Sequence, residues 1–159
     1  SVGLMNIISD MNQDQFADKP VIYGGAINQG RVNFKVELAR VKKKMEAGAT
    51  FFMTQPVFSD EDISRLRQIK EETGARILCG IMPFVSLRNA TFMKNEMTGI
   101  NVTDEILARY SADMTKEEGE ETGIQIAKEI ITKTSDFVDG YYFSFPFNRV
   151  HMLEKILNA

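Results

Sequence analysis

The sequence is poor in the residues that form disulfides, metal centres and membrane spans. It has one cysteine, one histidine and no tryptophan among 159 residues. A single Cys79 excludes an internal disulfide and favours a reducing compartment, so we expect a cytoplasmic protein. With His151 as the only histidine, a zinc site is not expected. No apolar run approaches the roughly 20 residues that cross a bilayer, so we expect no association with a membrane.

The sequence also has no excess of positive charge. The chain has 19 lysines and arginines against 22 acidic residues, a net charge of -3. This charge predicts no general affinity for nucleic acid. The length fits one domain with a sizeable core. The chain begins at Ser1 rather than at a methionine, and we expect it to be part of a longer protein.

Short apolar runs alternate with segments of helical periodicity. Each run is too short for a helix, so we interpret it as a strand buried on both faces of a parallel sheet. The predicted strands are Val21–Tyr23, Phe51–Met53, Arg76–Met82 and Gly140–Phe145. The predicted helices are Val2–Asn12, Asn33–Ala47, Asp60–Thr73, Ser86–Met97, Asp104–Tyr110, Thr115–Thr134 and Asn148–Leu157. The pattern predicts an α/β fold of four parallel strand–helix units, about half of a (β/α)8 barrel, with a free-standing four-stranded sheet as the alternative.

One polar side chain stands out in the stretch Ala49–Asp60. Gln55 comes where the second predicted strand ends, before Pro56. Side chains just past the carboxyl ends of parallel strands point into the ligand crevice of α/β folds. An amide there can donate to and accept from a planar heterocycle in one bidentate contact. The alternative is that Gln55 is only a polar residue at a strand end.

The other strand ends supply glycines, aromatic residues and an asparagine–arginine pair, but no acid or base. They are Gly24–Asn28, Pro83–Ser86 and Pro146–Arg149. Adjacent Gly24 and Gly25 let the backbone approach a ligand, although no dinucleotide fingerprint is present. The chain is therefore either a binding module or an enzyme whose catalytic residues lie elsewhere.

Four segments carry a resemblance to a known family. They are Lys42–Ala49, Phe52–Gln55, Gly80–Pro83 and Phe147–Arg149. In this order and spacing the chain resembles the methylenetetrahydrofolate reductase family, and Gly25–Asn28 is most similar to the subgroup fused to a homocysteine S-methyltransferase domain of methionine biosynthesis. The resemblance implies a (β/α)8 barrel, of which residues 1–159 would form the second half.

The resemblance also implies a reaction and a substrate site. The family carries FAD and passes hydride from NADH or NADPH to 5,10-methylenetetrahydrofolate, which gives 5-methyltetrahydrofolate. Gln55 matches a glutamine that contacts the pterin and the nicotinamide, and Arg149 matches an arginine near the aminobenzoate. Met93 falls where some members have a phenylalanine that stacks on the substrate. The acidic residues of catalysis belong to the first half of the barrel, so we expect the isolated chain to be inactive.

The same resemblance implies three residues on the cofactor side. Lys44 matches a lysine placed to meet the FAD pyrophosphate as a point charge. Glu37 takes the place of an aspartate that hydrogen-bonds a flavin ribose hydroxyl. Asn28 occupies a loop position where other members have histidine.

A half-barrel would leave two strand edges open, at Val21–Tyr23 and Gly140–Phe145. Open edges and an apolar inner face favour pairing with another chain. We therefore expect a homo-oligomer formed through these edges. A non-catalytic structural or interaction module remains the alternative to an enzyme.

Overall fold

The computed structural model describes residues 1–158. Its helices are α1 (Val2–Gln13), α2 (Phe34–Glu46), α3 (Asp60–Thr73), α4 (Leu87–Glu96), α5 (Asp104–Ala108), α6 (Lys116–Thr134) and α7 (His151–Leu157). Its strands are β1 (Gly24–Ile27), β2 (Phe51–Pro56), β3 (Ile77–Ile81) and β4 (Gly140–Phe143). A short 3₁₀ turn covers Pro146–Asn148. No helix among the described residues is long and apolar enough to cross a bilayer.

The four strands form one parallel sheet in the order β1-β2-β3-β4. Each strand therefore pairs with the next one along the chain, and helices connect them, as in part of a TIM barrel. The predicted α/β fold with four parallel strands is confirmed. Strands β1 and β4 are the two edges of this sheet.

Only one face of the sheet is fully buried. On β2, Phe52 is 1% exposed and Thr54 is buried, whereas Met53 between them is 39% exposed. The core lies between the buried face and the helices, and it includes Ile77 and Cys79 of β3. The prediction of strands buried on both faces is therefore wrong for β2, because the other face carries no second layer among the described residues.

The first strand begins later than predicted. Residues 21–23 lie before β1. The Asn12 side chain donates to the Val21 carbonyl at 2.9 Å and accepts from its N–H at 2.8 Å, whereas the Tyr23 carbonyl accepts from the Thr50 N–H at 3.0 Å. Gly24 and Gly25, predicted to follow the first strand, are in β1 instead. A Cβ on Gly24 would lie 2.5 Å from the Phe51 ring, and one on Gly25 would lie 2.8 Å from the Phe52 ring. Glycine is therefore needed where the aromatic rings of β2 cover the neighbouring strand.

Five of the seven helices described begin at a polar capping residue. The side chains of Asn33, Ser59, Ser86, Thr103 and Thr115 each accept a hydrogen bond from a backbone N–H in the first turn that follows. These bonds satisfy donors that a helix leaves free at its start.

The last predicted helix begins late. Phe147 and Asn148 have φ values of 55° and 58°, which are not helical, and α7 starts only at His151. The predicted helix over Asn148–Leu157 is therefore shortened at its start.

Candidate functional site

The carboxyl ends of the four strands lie at one end of the sheet, which we call the rim. At the rim, β2 has one residue more than β3, since Met53 pairs with Leu78 but Pro56 pairs with Gly80. Such a bulge changes the direction of the side chains beside it. Two side chains fix the bulge: the Thr54 hydroxyl accepts from the Gly80 N–H at 2.9 Å, and the Tyr142 hydroxyl donates to the Thr54 carbonyl at 2.5 Å.

Gln55 lies in this bulge, and its backbone is held by a buried amide. The Gln29 side chain accepts from the Gln55 N–H at 3.1 Å and donates to the Gln55 carbonyl at 2.9 Å. Arg65 holds Gln29 in turn by donating to its carbonyl at 2.8 Å. The side-chain amide of Gln55 itself is half-buried and forms no hydrogen bond with residues 1–158. It is therefore free to bind a ligand.

The three residues predicted to bind the cofactor lie beside β1, an edge strand of the sheet: Asn28 follows it, and the side chains of Glu37 and Lys44 reach it from α2. The buried carboxylate of Glu37 accepts from the Asn28 N–H at 3.0 Å. The Lys44 ammonium donates to the Ala26 carbonyl, which points away from β2. The Asn28 side-chain oxygen is buried and has no hydrogen-bond partner among the described residues. The structure brings Asn28, Glu37 and Lys44 together, and they are separated from the residues that follow β3 and β4.

Met93 lies in the core rather than at the rim. It is 8% exposed, whereas the adjacent Phe92 of α4 is 55% exposed. Phe92 lines a cavity of about 480 Å³ together with Phe147, which is 75% exposed. The aromatic ring exposed to this cavity is therefore that of Phe92, one position before the residue that the resemblance implied.

Arg149 lies at the rim after β4, in contact with an acidic residue of α6. It pairs with Glu120 of α6, and the same carboxylate lies 2.8 Å from His151 of α7. Burial of Glu120 alone would raise its pKa, but the hydrogen bond from His151 and the charges of Arg149 and Lys116 together lower it. Glu120 is therefore ionised at neutral pH, and its carboxylate orients the guanidinium of Arg149.

Arg149 borders a cavity of about 590 Å³ between α4, α6 and the segment after β4. Its walls are brought together by glycines on α6. A Cβ on Gly119 would lie 2.3 Å from the Val85 carbonyl oxygen, and one on Gly123 would lie 2.0 Å from that of Phe84. The backbone of α6 therefore packs directly on the loop between β3 and α4, and this contact fixes the width of the cavity.

A buried acid lies outside these cavities. Both carboxylate oxygens of Asp62 on α3 lack a hydrogen-bond partner among residues 1–158. Burial raises the pKa of Asp62 to about 6, although the nearby Ser59 hydroxyl and Arg65 charge lower it in part. No group of three or more histidine, cysteine or acidic side chains in the described chain is arranged to hold a metal ion.

Sequence reasoning did not single out Gln29, Phe92, Glu120 or His151 as site residues. The signal for Phe92 was its position on the predicted helix after the third strand, where an aromatic residue next to Met93 could face outward. Nothing local in the sequence pairs Glu120 with His151, because they are 31 residues apart and meet only when α6 and α7 pack together.

Comparison with solved structures supports the fold. An uncharacterised protein from Clostridium thermocellum that binds two copies of 5-methyl-5,6,7,8-tetrahydrofolic acid matches with a TM-score of 0.56 and 16% sequence identity. The match covers 86% of this chain and 51% of that one, so the chain spans about half the length of this structural relative. At this identity the likeness concerns the fold alone.

No curated protein matches this sequence. The sequence model of one family, described as methylenetetrahydrofolate reductase, matches residues 2–158. This match includes all four strands and every residue of the rim. The chain therefore belongs to the methylenetetrahydrofolate reductase family.

Proposed function

We propose that this chain is part of an enzyme that reduces 5,10-methylenetetrahydrofolate to 5-methyltetrahydrofolate, with NADH or NADPH as the electron donor. In this proposal the chain supplies one part of the folate site and one part of the FAD site. Further strand–helix units supply the proton donor, so the isolated chain binds ligand without turnover. Family membership and a structural relative that binds a methyltetrahydrofolate support a folate ligand.

The observation that carries the proposal is the order of side chains along the rim. A free amide (Gln55) follows β2, two exposed aromatic rings (Phe92 and Phe147) follow β3 and β4, and a guanidinium (Arg149) comes next. A folate has a pterin, an aminobenzoate and a glutamate in the same order. Strands β2 and β4 are two strand spacings apart, roughly 10 Å.

Each of these side chains has a defined task in the proposed complex. The Gln55 amide donates to and accepts from the pterin edge, which orients the ring that receives the hydride. Phe92 and Phe147 stack on the aminobenzoate and keep water from that side of the ligand. Arg149 pairs with a carboxylate of the glutamate and is held in place by Glu120.

The residues along β1 fit a flavin nucleotide in part. Lys44 supplies a cation at the free edge, and the Asn28 side-chain oxygen lacks a hydrogen-bond partner among the described residues. Glu37 contributes less, because its carboxylate already binds the Asn28 N–H. FAD, when bound, would carry the hydride from the nicotinamide to the folate. A titration of the purified chain with FAD, followed by the visible spectrum, tests this part of the proposal.

The folate part is tested by direct binding. We expect 5-methyltetrahydrofolate to bind the purified chain in isothermal titration calorimetry, and Gln55→Ala to weaken binding roughly tenfold through loss of two hydrogen bonds. Gln68→Ala, which removes an exposed glutamine of α3, is the matched control and leaves binding unchanged. An unchanged affinity in Gln55→Ala would contradict the assigned role of Gln55. Absence of binding to the unaltered chain would favour the alternative, a non-catalytic module.

A further inference from the structure

We propose that the Tyr142 hydroxyl is a further ligand-binding group of the folate site and accepts a hydrogen bond from the 2-amino group of the pterin, beside Gln55. This inference rests on the proposed folate function and adds to it one residue and one recognised group of the substrate. Tyr142 lies within β4 rather than in the segment that follows it. A search restricted to the residues past the strand ends therefore does not include it.

Tyr142 lies on the face of the sheet that carries no second layer among the described residues. Its neighbour Tyr141 faces the helices, where the Tyr141 hydroxyl donates to the Ile131 carbonyl of α6 at 3.1 Å. Successive side chains of a strand point to opposite faces, so the Tyr142 ring is on the open face. Burial along β2 alternates in the same way, and Gln55 belongs to its more exposed side. The two side chains therefore share one face of the sheet.

The Tyr142 side chain crosses β3 to reach β2. A Cβ on Gly80 would lie 2.6 Å from the Tyr142 hydroxyl oxygen and 2.8 Å from the ring carbon that bears it. Glycine at this position of β3 therefore leaves the space that the ring occupies. The hydroxyl donates to the Thr54 carbonyl at 2.5 Å. This carbonyl belongs to the peptide group that joins Thr54 to Gln55, so the hydroxyl lies directly beside Gln55.

The bond to Thr54 leaves the Tyr142 hydroxyl able to accept but not to donate. A phenol has one O–H to donate and lone pairs with which to accept. Its hydrogen is given to the Thr54 carbonyl, and no donor among residues 1–158 is bonded to its oxygen. Burial raises the pKa of the Tyr142 phenol, so the group keeps this proton at neutral pH. A ligand that contacts Gln55 therefore meets a second acceptor next to the amide.

The edge of a pterin carries groups that match this set. A ring carbonyl, a ring N–H and the exocyclic amino group follow one another along it. The Gln55 amide can donate to the carbonyl and accept from the ring N–H, which uses both of its groups. The amino group then requires an acceptor beside Gln55, and the Tyr142 hydroxyl supplies it. The pair therefore recognises three adjacent groups of one ring.

The experiment pairs a change in the protein with a change in the ligand. Isothermal titration calorimetry on the 159-residue chain compares 5-methyltetrahydrofolate with an analogue in which a methyl group replaces the 2-amino group. Loss of one hydrogen bond weakens binding about fivefold, so we expect the unaltered chain to prefer 5-methyltetrahydrofolate by about this factor. In Tyr142→Phe the preference falls to within about twofold. A purely structural role of Tyr142 would weaken binding of both ligands alike and keep the preference.

The matched control is Tyr141→Phe, which removes a hydroxyl from the same strand on the opposite face and leaves the preference intact. A preference that survives in Tyr142→Phe, or an equal loss of preference in Tyr141→Phe, would overturn the assignment to Tyr142. Equal binding of the two ligands to the unaltered chain would overturn recognition of the amino group while leaving the folate proposal in place. Failure of 5-methyltetrahydrofolate to bind would overturn the folate proposal, and this inference with it.

Discussion

The side chain of Gln29 forms two hydrogen bonds with the backbone of Gln55, one to the N–H and one to the carbonyl. In a regular sheet these groups would pair with a neighbouring strand, but the bulge in β2 takes Gln55 out of register. An amide side chain has the same donor and acceptor as a peptide group, so it can replace the missing partner. Gln29 thus makes the irregular end of β2 stable.

Substitution of Gln29 is expected to lower the stability of the chain, and substitution of Gln55 is expected to weaken ligand binding. Gln29→Ala leaves buried backbone groups of Gln55 without partners and should lower the free energy of unfolding by about 2–3 kcal/mol. Gln55→Ala keeps those backbone bonds and should change stability by less than about 1 kcal/mol while weakening binding of 5-methyltetrahydrofolate. Urea denaturation of both variants measures the first effect. A larger stability loss in Gln55→Ala than in Gln29→Ala would show that the two roles are reversed.

The exposed aromatic pair should matter for ligand affinity and little for folding. Phe92→Ala and Phe147→Ala should each weaken binding of 5-methyltetrahydrofolate roughly three- to tenfold, because stacking between aromatic rings contributes about 0.5–1.5 kcal/mol. Met93→Ala is the informative comparison, since its side chain is in the core and its loss should lower stability by about 2–4 kcal/mol. If Met93→Ala weakened binding more than Phe92→Ala in a chain of equal stability, Met93 would be the stacking residue after all.

Asp62 should make the chain less stable as the pH rises from about 4 to 7. Burial raises its folded-state pKa from 3.8 to about 6, so the folded chain keeps this proton over a range where the unfolded chain loses it. The shift corresponds to about 3 kcal/mol at pH 7. Asp62→Asn should therefore raise the free energy of unfolding by up to about 3 kcal/mol at pH 7 and leave it nearly unchanged below about pH 4.

The control for Asp62 is its exposed neighbour on the same helix. Asp60→Asn should bring no gain at pH 7, because Asp60 is ion-paired with Lys133 at the surface. Thermal unfolding of the three proteins at several pH values gives the comparison. A loss of stability in Asp62→Asn at pH 7 would mean that the Asp62 carboxylate has a favourable partner.

The open side of the sheet should bind a second copy of the isolated chain. All four strands are parallel, so a two-fold axis that runs in the direction of the strands can place β4 of each copy beside β1 of the other. The two copies would then form a closed barrel of eight parallel strands. Apolar side chains such as Met53 would then be buried, and the Ala26 carbonyl would exchange Lys44 for a backbone N–H. Sedimentation over a range of concentrations should show a dimer.

Met53→Lys should prevent this association, because it places a charge on the face that the second copy covers. Met97→Lys, at the end of α4 and similarly exposed, is the matched control and should leave the dimer intact. A monomer at all concentrations of the unaltered chain would contradict the prediction and favour a sheet completed only by other parts of a longer protein.

The sequence allowed the elements to be predicted but not the contacts between distant segments. Helix α3 was predicted with its observed limits, because Ser59 and Gly74 mark its ends and the apolar spacing is regular. The start of β1 was wrong, since a glycine pair gives no sign by itself that aromatic rings of the next strand will cover it. The fused methyltransferase domain, the cytoplasmic location and the choice between NADH and NADPH stay predictions.

The site followed the same pattern. Gln55 was found because a strand end is visible in a sequence. The role of Met93 stays a prediction, but its side chain lies in the core while that of Phe92 is exposed, because on a helix a shift of one position turns a side chain by about 100°.

The direct contact of Gly119 and Gly123 with the Phe84 and Val85 carbonyls leaves no side-chain layer between α6 and the loop that precedes α4. Close packing of these two main-chain segments leaves no room for either to shift without a clash. The backbone positions that carry Arg88 and Lys116, on the two sides of this contact, are therefore held at a fixed separation. A ligand with carboxylates at a matching interval would contact both cations without any rearrangement of the backbone. A ligand with a shorter or longer interval would contact only one of the two cations.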